Sequence, residues 1–133
     1  MFLFYQNLGK LFYAVAAIDN VVRDEELETL KKLVKQYWLS QDIITDKSIR
    51  NMDNVIVNTF IWLCKDNQYS AEECYNSFIR FKKQNNALFS SKIKSLILKT
   101  AGKVAASFSN QNKSELMLLA KLNIEFKKQN NDN

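Results

Sequence analysis

The chain has 133 residues, which suits one domain around one hydrophobic core. Apolar residues make up 47% of it and can fill that core, while a charged share of 25% is ordinary for a soluble protein. Two glycines and no proline argue against an all-β protein, which builds its many turns from those residues. The absence of histidine and of a CxxC spacing argues against structural zinc, so Cys64 and Cys74 are expected to be buried, inert thiols.

The first two helices are predicted on either side of a short turn. Apolar residues recur every three or four positions over 3–18, and this helix stops at Asp19 and Asn20, which tolerate turn geometry. The second helix runs from about 24 to 38 and opens with acids before its lysines, an order that complements the helix dipole. Residues 39–51 are predicted to form a loop.

The middle of the chain is predicted to supply two further helices. Residues 52–63 are apolar on almost every side, which is typical of a buried helix, with a strand over 55–57 as the alternative. This pattern places Trp62 in the core, whereas Trp38, at a helix end, is the better interface candidate. The sequence SAEE at 70–73 is a capping box that begins the fourth helix.

The last two helices belong to an internal repeat. Shifting the chain by 89 residues lays residues 104–122 over residues 15–33 without a gap. The tripeptide Val-Ala-Ala ends the first helix of each copy, and a glutamate, Glu26 or Glu115, opens the second helix. Each copy is therefore predicted to be a helical hairpin, and the small residues would let the two hairpins approach closely around a shared axis.

These elements predict an all-α protein, a single compact bundle of about six helices. Its two pseudo-repeated hairpins, residues 13–38 and 93–127, are expected to pack against each other around the third helix. The predicted domain covers residues 1–128, and a polar tail follows at 129–133. The expected inner face of the last helix consists of Leu116, Leu119, Leu122 and Phe126.

The turn between the first two helices is rich in acids. Because Glu26 has a counterpart in Glu115, it belongs to the shared frame and is expected to cap its helix start, with ligand contact as the alternative. Asp19, Asp24 and Glu25 have no acidic counterpart in the second copy. A function special to the first hairpin is therefore expected to use those three residues.

A resemblance to a known family rests on the same stretch. The sequence LFYAVAAIDNVVRDEELETLKKLV resembles the TerB-like tellurite-resistance family, whose hallmark is an Ala-rich helix ending in Asp, a turn, and a Glu that opens an amphipathic helix. Asp19 and Glu26 occupy those positions, and KTAGKVAASFSNQNKSELMLLAKL resembles the family's second hairpin. Asn20 stands where the family usually has Gly, and Phe108 replaces the acid of the second hairpin.

The resemblance implies an all-helical, non-enzymatic binding or adaptor module tied to stress responses or tellurite resistance. Its implied partner is another protein, within a multiprotein or membrane-associated complex. The resemblance also implies binding of a divalent metal or another ligand through an acidic face, so Ca²⁺, Mg²⁺ or Mn²⁺ is the expected cation. Its oxygen ligands would come from Asp19, Asp24, Glu25 and Glu26. Solvated acids that complement the helix dipole are the other interpretation.

The alternative function is binding of nucleic acid or another anionic surface through the second half of the chain. Residues 1–66 carry eight basic and nine acidic side chains, whereas residues 67–133 carry eleven basic and five acidic ones. Basic residues interleaved with aromatic ones can bind phosphates, although a solvated face that favours solubility has the same pattern. The basic stretch consists of Arg80, Lys82, Lys83, Lys92, Lys94, Lys99 and Lys103.

An enzyme is not expected, because the chain has no histidine, no Gly-rich phosphate loop and no Gly-x-Ser-x-Gly elbow. No apolar segment reaches the ~20 residues of a membrane helix. Polar residues interrupt the apolar start of the chain, unlike the unbroken apolar region of a signal peptide. The protein is therefore predicted to be cytoplasmic.

Overall fold

A computed structural model describes residues 2–19, 21–38, 52–66, 68–107 and 113–128. Within these ranges the chain forms α-helices and no strand, which confirms the all-α prediction. The predicted loop at 39–51 and the predicted tail at 129–133 lie outside the described residues, as does the predicted turn residue Asn20.

Six α-helices were predicted, and six are present in the described part of the chain. They are α1 (Phe2–Ala17), α2 (Asp24–Leu33), α3 (Met52–Asp66), α4 (Ala71–Gln84), α5 (Ser91–Ala105) and α6 (Lys113–Lys127). A π-helical turn (Val34–Trp38) continues α2, and a 3-10 turn (Asn86–Leu88) precedes α5. The predicted capping box begins α4, since the hydroxyl of Ser70 accepts from the Glu73 N–H and the Glu73 carboxylate accepts from the Ser70 N–H.

The centre of the bundle is α1, which packs against α3, α4, α5 and α6. Almost every residue from Phe4 to Ala17 is buried, as expected of a helix that is apolar around most of its circumference. Both helices of the first hairpin contact α5, which confirms that the two hairpins pack against each other. The prediction that they do so around the third helix is wrong, because α3 packs mainly against α1.

Helix α3 is buried on one side only. Ile56, Phe60 and Leu63 face the core, whereas the Trp62 side chain is 51% exposed. The prediction that Trp62 lies in the core is therefore wrong, and the reason is geometric. One neighbouring helix covers one stripe of α3, so a helix that is apolar on every side leaves apolar residues uncovered.

Trp38, the predicted interface aromatic, is instead buried at 1% exposure. Its indole Nε1–H donates to the Thr100 hydroxyl at 3.1 Å, and its ring lies 6.4 Å from that of Phe4. Thr100 in turn donates to the carbonyl of Leu96. Trp38 thus joins the end of the first hairpin to α5 of the second, and both polar groups are satisfied inside the core.

The inner face of α6 agrees with the predicted face at its C-terminal end and differs from it in the first turns. Leu122 and Phe126 are buried as predicted, and Leu119 is partly buried against the core. Leu118 is buried instead of Leu116, which is exposed. The inner face begins at Glu115, which is buried as well. Glutamates are rarely buried without a partner, so apolar spacing alone does not predict a face that includes Glu115.

Candidate functional site

Arg23 organises the turn between α1 and α2. The Asp19 carboxylate accepts from the Val21 N–H at 3.1 Å and from the Arg23 guanidinium at 3.2 Å. One Glu26 oxygen accepts from the Arg23 N–H at 2.9 Å. This hydrogen bond confirms that Glu26 caps the start of α2, and Arg23 contributes no side-chain oxygen to the cap.

The Arg23 guanidinium also lies 3.9 Å from the nearer carboxylate oxygen of Glu26. The same side chain therefore pairs with both acids that carry the resemblance, Asp19 and Glu26. A fixed positive charge already lies beside each of these two carboxylates.

The other two predicted metal ligands are placed apart from this pair. Asp24 and Glu25 are exposed in the first turn of α2, where acids complement the helix dipole. Among the described residues, no three Asp, Glu, Cys or His side chains are arranged to hold a metal ion. The four predicted ligands therefore do not fit one cation as a single set, because two of them already pair with Arg23 and two face solvent.

A pair of buried glutamates, Glu26 and Glu115, lies where the two hairpins meet. Both are inaccessible to solvent, and their carboxyl groups face each other within hydrogen-bonding reach. These residues occupy equivalent positions of the repeat. The repeat was thus the signal for this contact, although sequence reasoning used it only to assign a capping role.

The pKa of Glu26 is raised to about 7, chiefly because the group is buried. The charge and hydrogen bond of Glu115 contribute to this rise, whereas the Arg23 N–H and guanidinium oppose it. The second oxygen of Glu26 has no donor within the described residues when both groups are ionised. A proton shared with Glu115 would supply that hydrogen bond. It would also explain why two carboxyl groups can lie this close together. The raised pKa of Glu26 thus favours a proton shared between the two carboxyl groups below about pH 7.

A cleft of about 610 Å³, here called the turn cleft, opens beside the α1–α2 turn. Its walls come from the end of α1, the start of α2, the end of α3 and the start of α4. The lining includes Tyr13, Arg23, Asp24, Leu27, Cys64, Tyr69 and Glu73. The turn that was singled out from the sequence therefore borders a concave surface of the size that ligands use.

The two cysteines differ in their exposure to solvent. Cys74 is buried as predicted, and burial raises the pKa of its thiol to about 11. The prediction is wrong for Cys64, which is exposed on α3 and lines the turn cleft. The cause is the one that exposes Trp62, namely that α1 covers only one stripe of α3.

Two of the seven residues predicted to form a basic surface, Lys82 and Lys94, make hydrogen bonds within the protein instead. Lys82 is completely buried, so its assignment to a binding surface is wrong. Its ammonium donates to the carbonyl of Glu125, and the Lys94 ammonium donates to the carbonyl of Phe126. Both cations thus stabilise the C-terminal end of α6, where the helix dipole favours positive charge.

The remaining five basic residues are exposed but divided between two helices. Arg80 and Lys83 lie on α4, whereas Lys92, Lys99 and Lys103 lie on α5. The Lys99 and Lys103 ammonium groups lie 4.7 Å and 6.0 Å from the centre of the Tyr37 ring. These two lysines therefore have an aromatic partner within the chain.

Replacing Lys82 by methionine is expected to lower the free energy of unfolding by about 1–3 kcal/mol, because the Glu125 carbonyl loses its charged donor in a buried site. Methionine keeps most of the side-chain volume, so a cavity contributes little. Lys83→Met is the matched control, since Lys83 is the exposed neighbour and should stay within about 0.5 kcal/mol. Urea denaturation measures the free energy of unfolding of both variants. Equal destabilisation by the two substitutions would contradict a stabilising role for the Lys82 hydrogen bond.

Comparisons with protein-family models, with characterised proteins and with solved structures find no match to this chain. In the described part of the chain, no helix combines the length and the apolar character needed to cross a membrane.

Proposed function

We propose that the chain is a non-enzymatic binding or adaptor module of the TerB-like type, acting in the cytoplasm with another protein as its partner. Two packed hairpins in the expected order support the proposal, as do Asp19 and Glu26 at the ends of the first two helices. The link to stress responses or tellurite resistance comes from the resemblance.

The observation that carries the proposal is the concave surface beside the α1–α2 turn, which is lined by the exposed Tyr69 and has the exposed Trp62 next to it. Tyr69 lines the turn cleft and is 45% exposed, and its ring lies 5.7 Å from that of Trp62. Exposed Trp and Tyr beside a cleft are typical of residues that dominate binding energy at protein interfaces. A partner that covers Tyr69 would bury both rings together.

Site-specific cross-linking in the cells that make the protein tests this proposal. A photoreactive phenylalanine derivative at position 69 is expected to form one discrete adduct with a second protein. The same derivative at position 117 is the control, because Met117 is at least as exposed as Tyr69 but lies on α6, away from the cleft. Absence of an adduct at position 69, or the same adduct at both positions, would overturn the proposed binding surface.

The cation implied by the resemblance has its own test. Because Arg23 already pairs with Asp19 and Glu26, we expect calorimetric titration of the protein with Ca²⁺, Mg²⁺ or Mn²⁺ to show no saturable heat. Saturable binding that is lost in the Asp24→Asn, Glu25→Gln double variant would establish the acidic turn as a cation site. Glu28→Gln is the matched control, an exposed acid one turn further along α2.

A further inference from the structure

A second concavity adjoins the turn cleft. This groove, here called the Trp62 groove, has a volume of about 470 Å³ and runs between α1, α3 and α4. A smaller hollow of about 240 Å³ continues it, sharing Gln6 and Trp62 and adding the exposed Phe2. The groove is lined by Gln6, Lys10, Trp62, Leu63, Tyr69, Glu73, Cys74, Asn76, Ser77 and Arg80.

The charges in the Trp62 groove are not balanced. Lys10 and Arg80 line it, and neither has a carboxylate within ion-pair distance among the described residues. The Lys10 ammonium donates to the neutral hydroxyl of Ser77, at 3.2 Å. The one acid of the groove, Glu73, is held by the Ser70 N–H as the cap of α4. The groove therefore offers two positive charges without an ion-pair partner in the described part of the chain, against one carboxylate, beside two exposed aromatic rings.

We infer that the Trp62 groove binds a short acidic segment of a partner protein that carries a large apolar side chain. This inference rests on the proposed binding function and adds the chemistry of the partner. The apolar side chain packs against Trp62 and Tyr69, which removes their exposed faces from water. The acidic side chains pair with Lys10 and Arg80, so charge complementarity sets the orientation of the segment.

A peptide fits this groove better than a nucleic acid does. Nucleic-acid binding draws on a track of several phosphate contacts, whereas the groove holds two cations. The side-chain amides of Gln6 and Asn76 can donate to and accept from a peptide backbone. The hollow beyond Trp62, between Phe2 and Val55, continues the apolar part of the groove.

Fluorescence anisotropy with three labelled peptides of about twelve residues tests the inference on the full chain. The first peptide places Phe and Leu among Asp and Glu residues, the second replaces the acids by Lys, and the third replaces Phe and Leu by Ala. We expect binding of the first peptide alone. Trp62→Ala and the double variant Lys10→Gln, Arg80→Gln should each weaken it by about tenfold or more.

Two control variants preserve the groove. Met117→Ala removes an equally exposed apolar side chain on α6, and Lys103→Gln removes a basic side chain on α5, so both should leave the affinity within about twofold. Circular dichroism verifies that every variant is folded. Because Trp62, Lys10 and Arg80 are not completely buried, their replacement should leave the helical signal unchanged.

Three results would overturn the inference. The first is no binding of the acidic peptide, or equal binding of the basic one. The second is tighter binding of a single-stranded oligonucleotide that also depends on Trp62, which would assign the groove to nucleic acid. The third is a dimer of the free chain that Trp62→Ala dissociates, which would assign it to a second copy. An adduct at position 69 without peptide binding would leave the proposed function standing and reject only this partner chemistry.

Discussion

Replacing Gly9 by alanine is expected to destabilise the protein by about 1–3 kcal/mol, although alanine is the better helix former. Gly9 lies at a close approach between α1 and α3. A methyl group there would lie 2.7 Å from Cβ of Thr59 and 2.8 Å from the carbonyl oxygen of Ile56. Neither atom can rotate away, since one is backbone and the other is fixed to it. The steric cost of separating the helices therefore exceeds the gain of about 1 kcal/mol in helix propensity.

The second glycine supplies a matched control. Gly102 lies in α5, and a methyl group added there would meet no atom within 4 Å. Gly102→Ala is therefore expected to raise the free energy of unfolding by about 0.5–1 kcal/mol. Thermal and urea denaturation of both variants measure the difference. Stabilisation by both substitutions would show that α1 and α3 do not approach each other at Gly9.

The buried glutamate pair is expected to make stability fall as the pH rises from about 4.5 to 7. Burial raises the pKa of Glu26 from 4.5 to about 7, so in that window the folded chain holds a proton that the unfolded chain has released. The pair's contribution to the free energy of unfolding is complete below pH 4.5 and is lost as the pH rises through about 7. Each pKa unit is worth roughly 1.4 kcal/mol, so the loss is on the order of 3 kcal/mol.

The surroundings of Glu26 explain why the charged form is disfavoured. Glu115 faces it from α6, and the Cys64 thiol is close enough on α3 for the Glu26 charge to act on it. Arg23, beside the carboxylate, is the one cation of this set and is shared with Asp19. One positive charge therefore opposes both the burial of the group and the repulsion between the two glutamates.

Glu26→Gln isolates this effect from other titrating groups. Glutamine keeps an oxygen to accept the Arg23 N–H and adds an N–H that can donate to Glu115. The variant should match the wild type near pH 5 and exceed its stability at about pH 8 by on the order of 1–3 kcal/mol. Glu28→Gln, at an exposed position of the same helix, is the control. A stability difference between Glu26→Gln and wild type that does not change with pH would refute the shared proton.

Local features were readable from the sequence because they depend on residues close together in the chain. The helical periods, the capping box of Ser70 and Glu73, and the cap formed by Glu26 are of this kind. The repeat also allowed one prediction about residues far apart in the chain, namely that two similar hairpins pack together. Local sequence governs these features because each hydrogen bond spans only three or four residues.

Only the tertiary structure decided which apolar and charged residues are covered. Trp38 and Trp62 exchanged their expected roles, Lys82 lies in the core, and Glu115 faces Glu26 across the hairpins. None of these outcomes follows from a residue's own character, because burial depends on which helix lies opposite. The sequence by itself determined six helices and a repeated frame. The packing around α1 determined where the groove, the cleft and the buried glutamate pair lie, because one central helix can cover only one stripe of each neighbour.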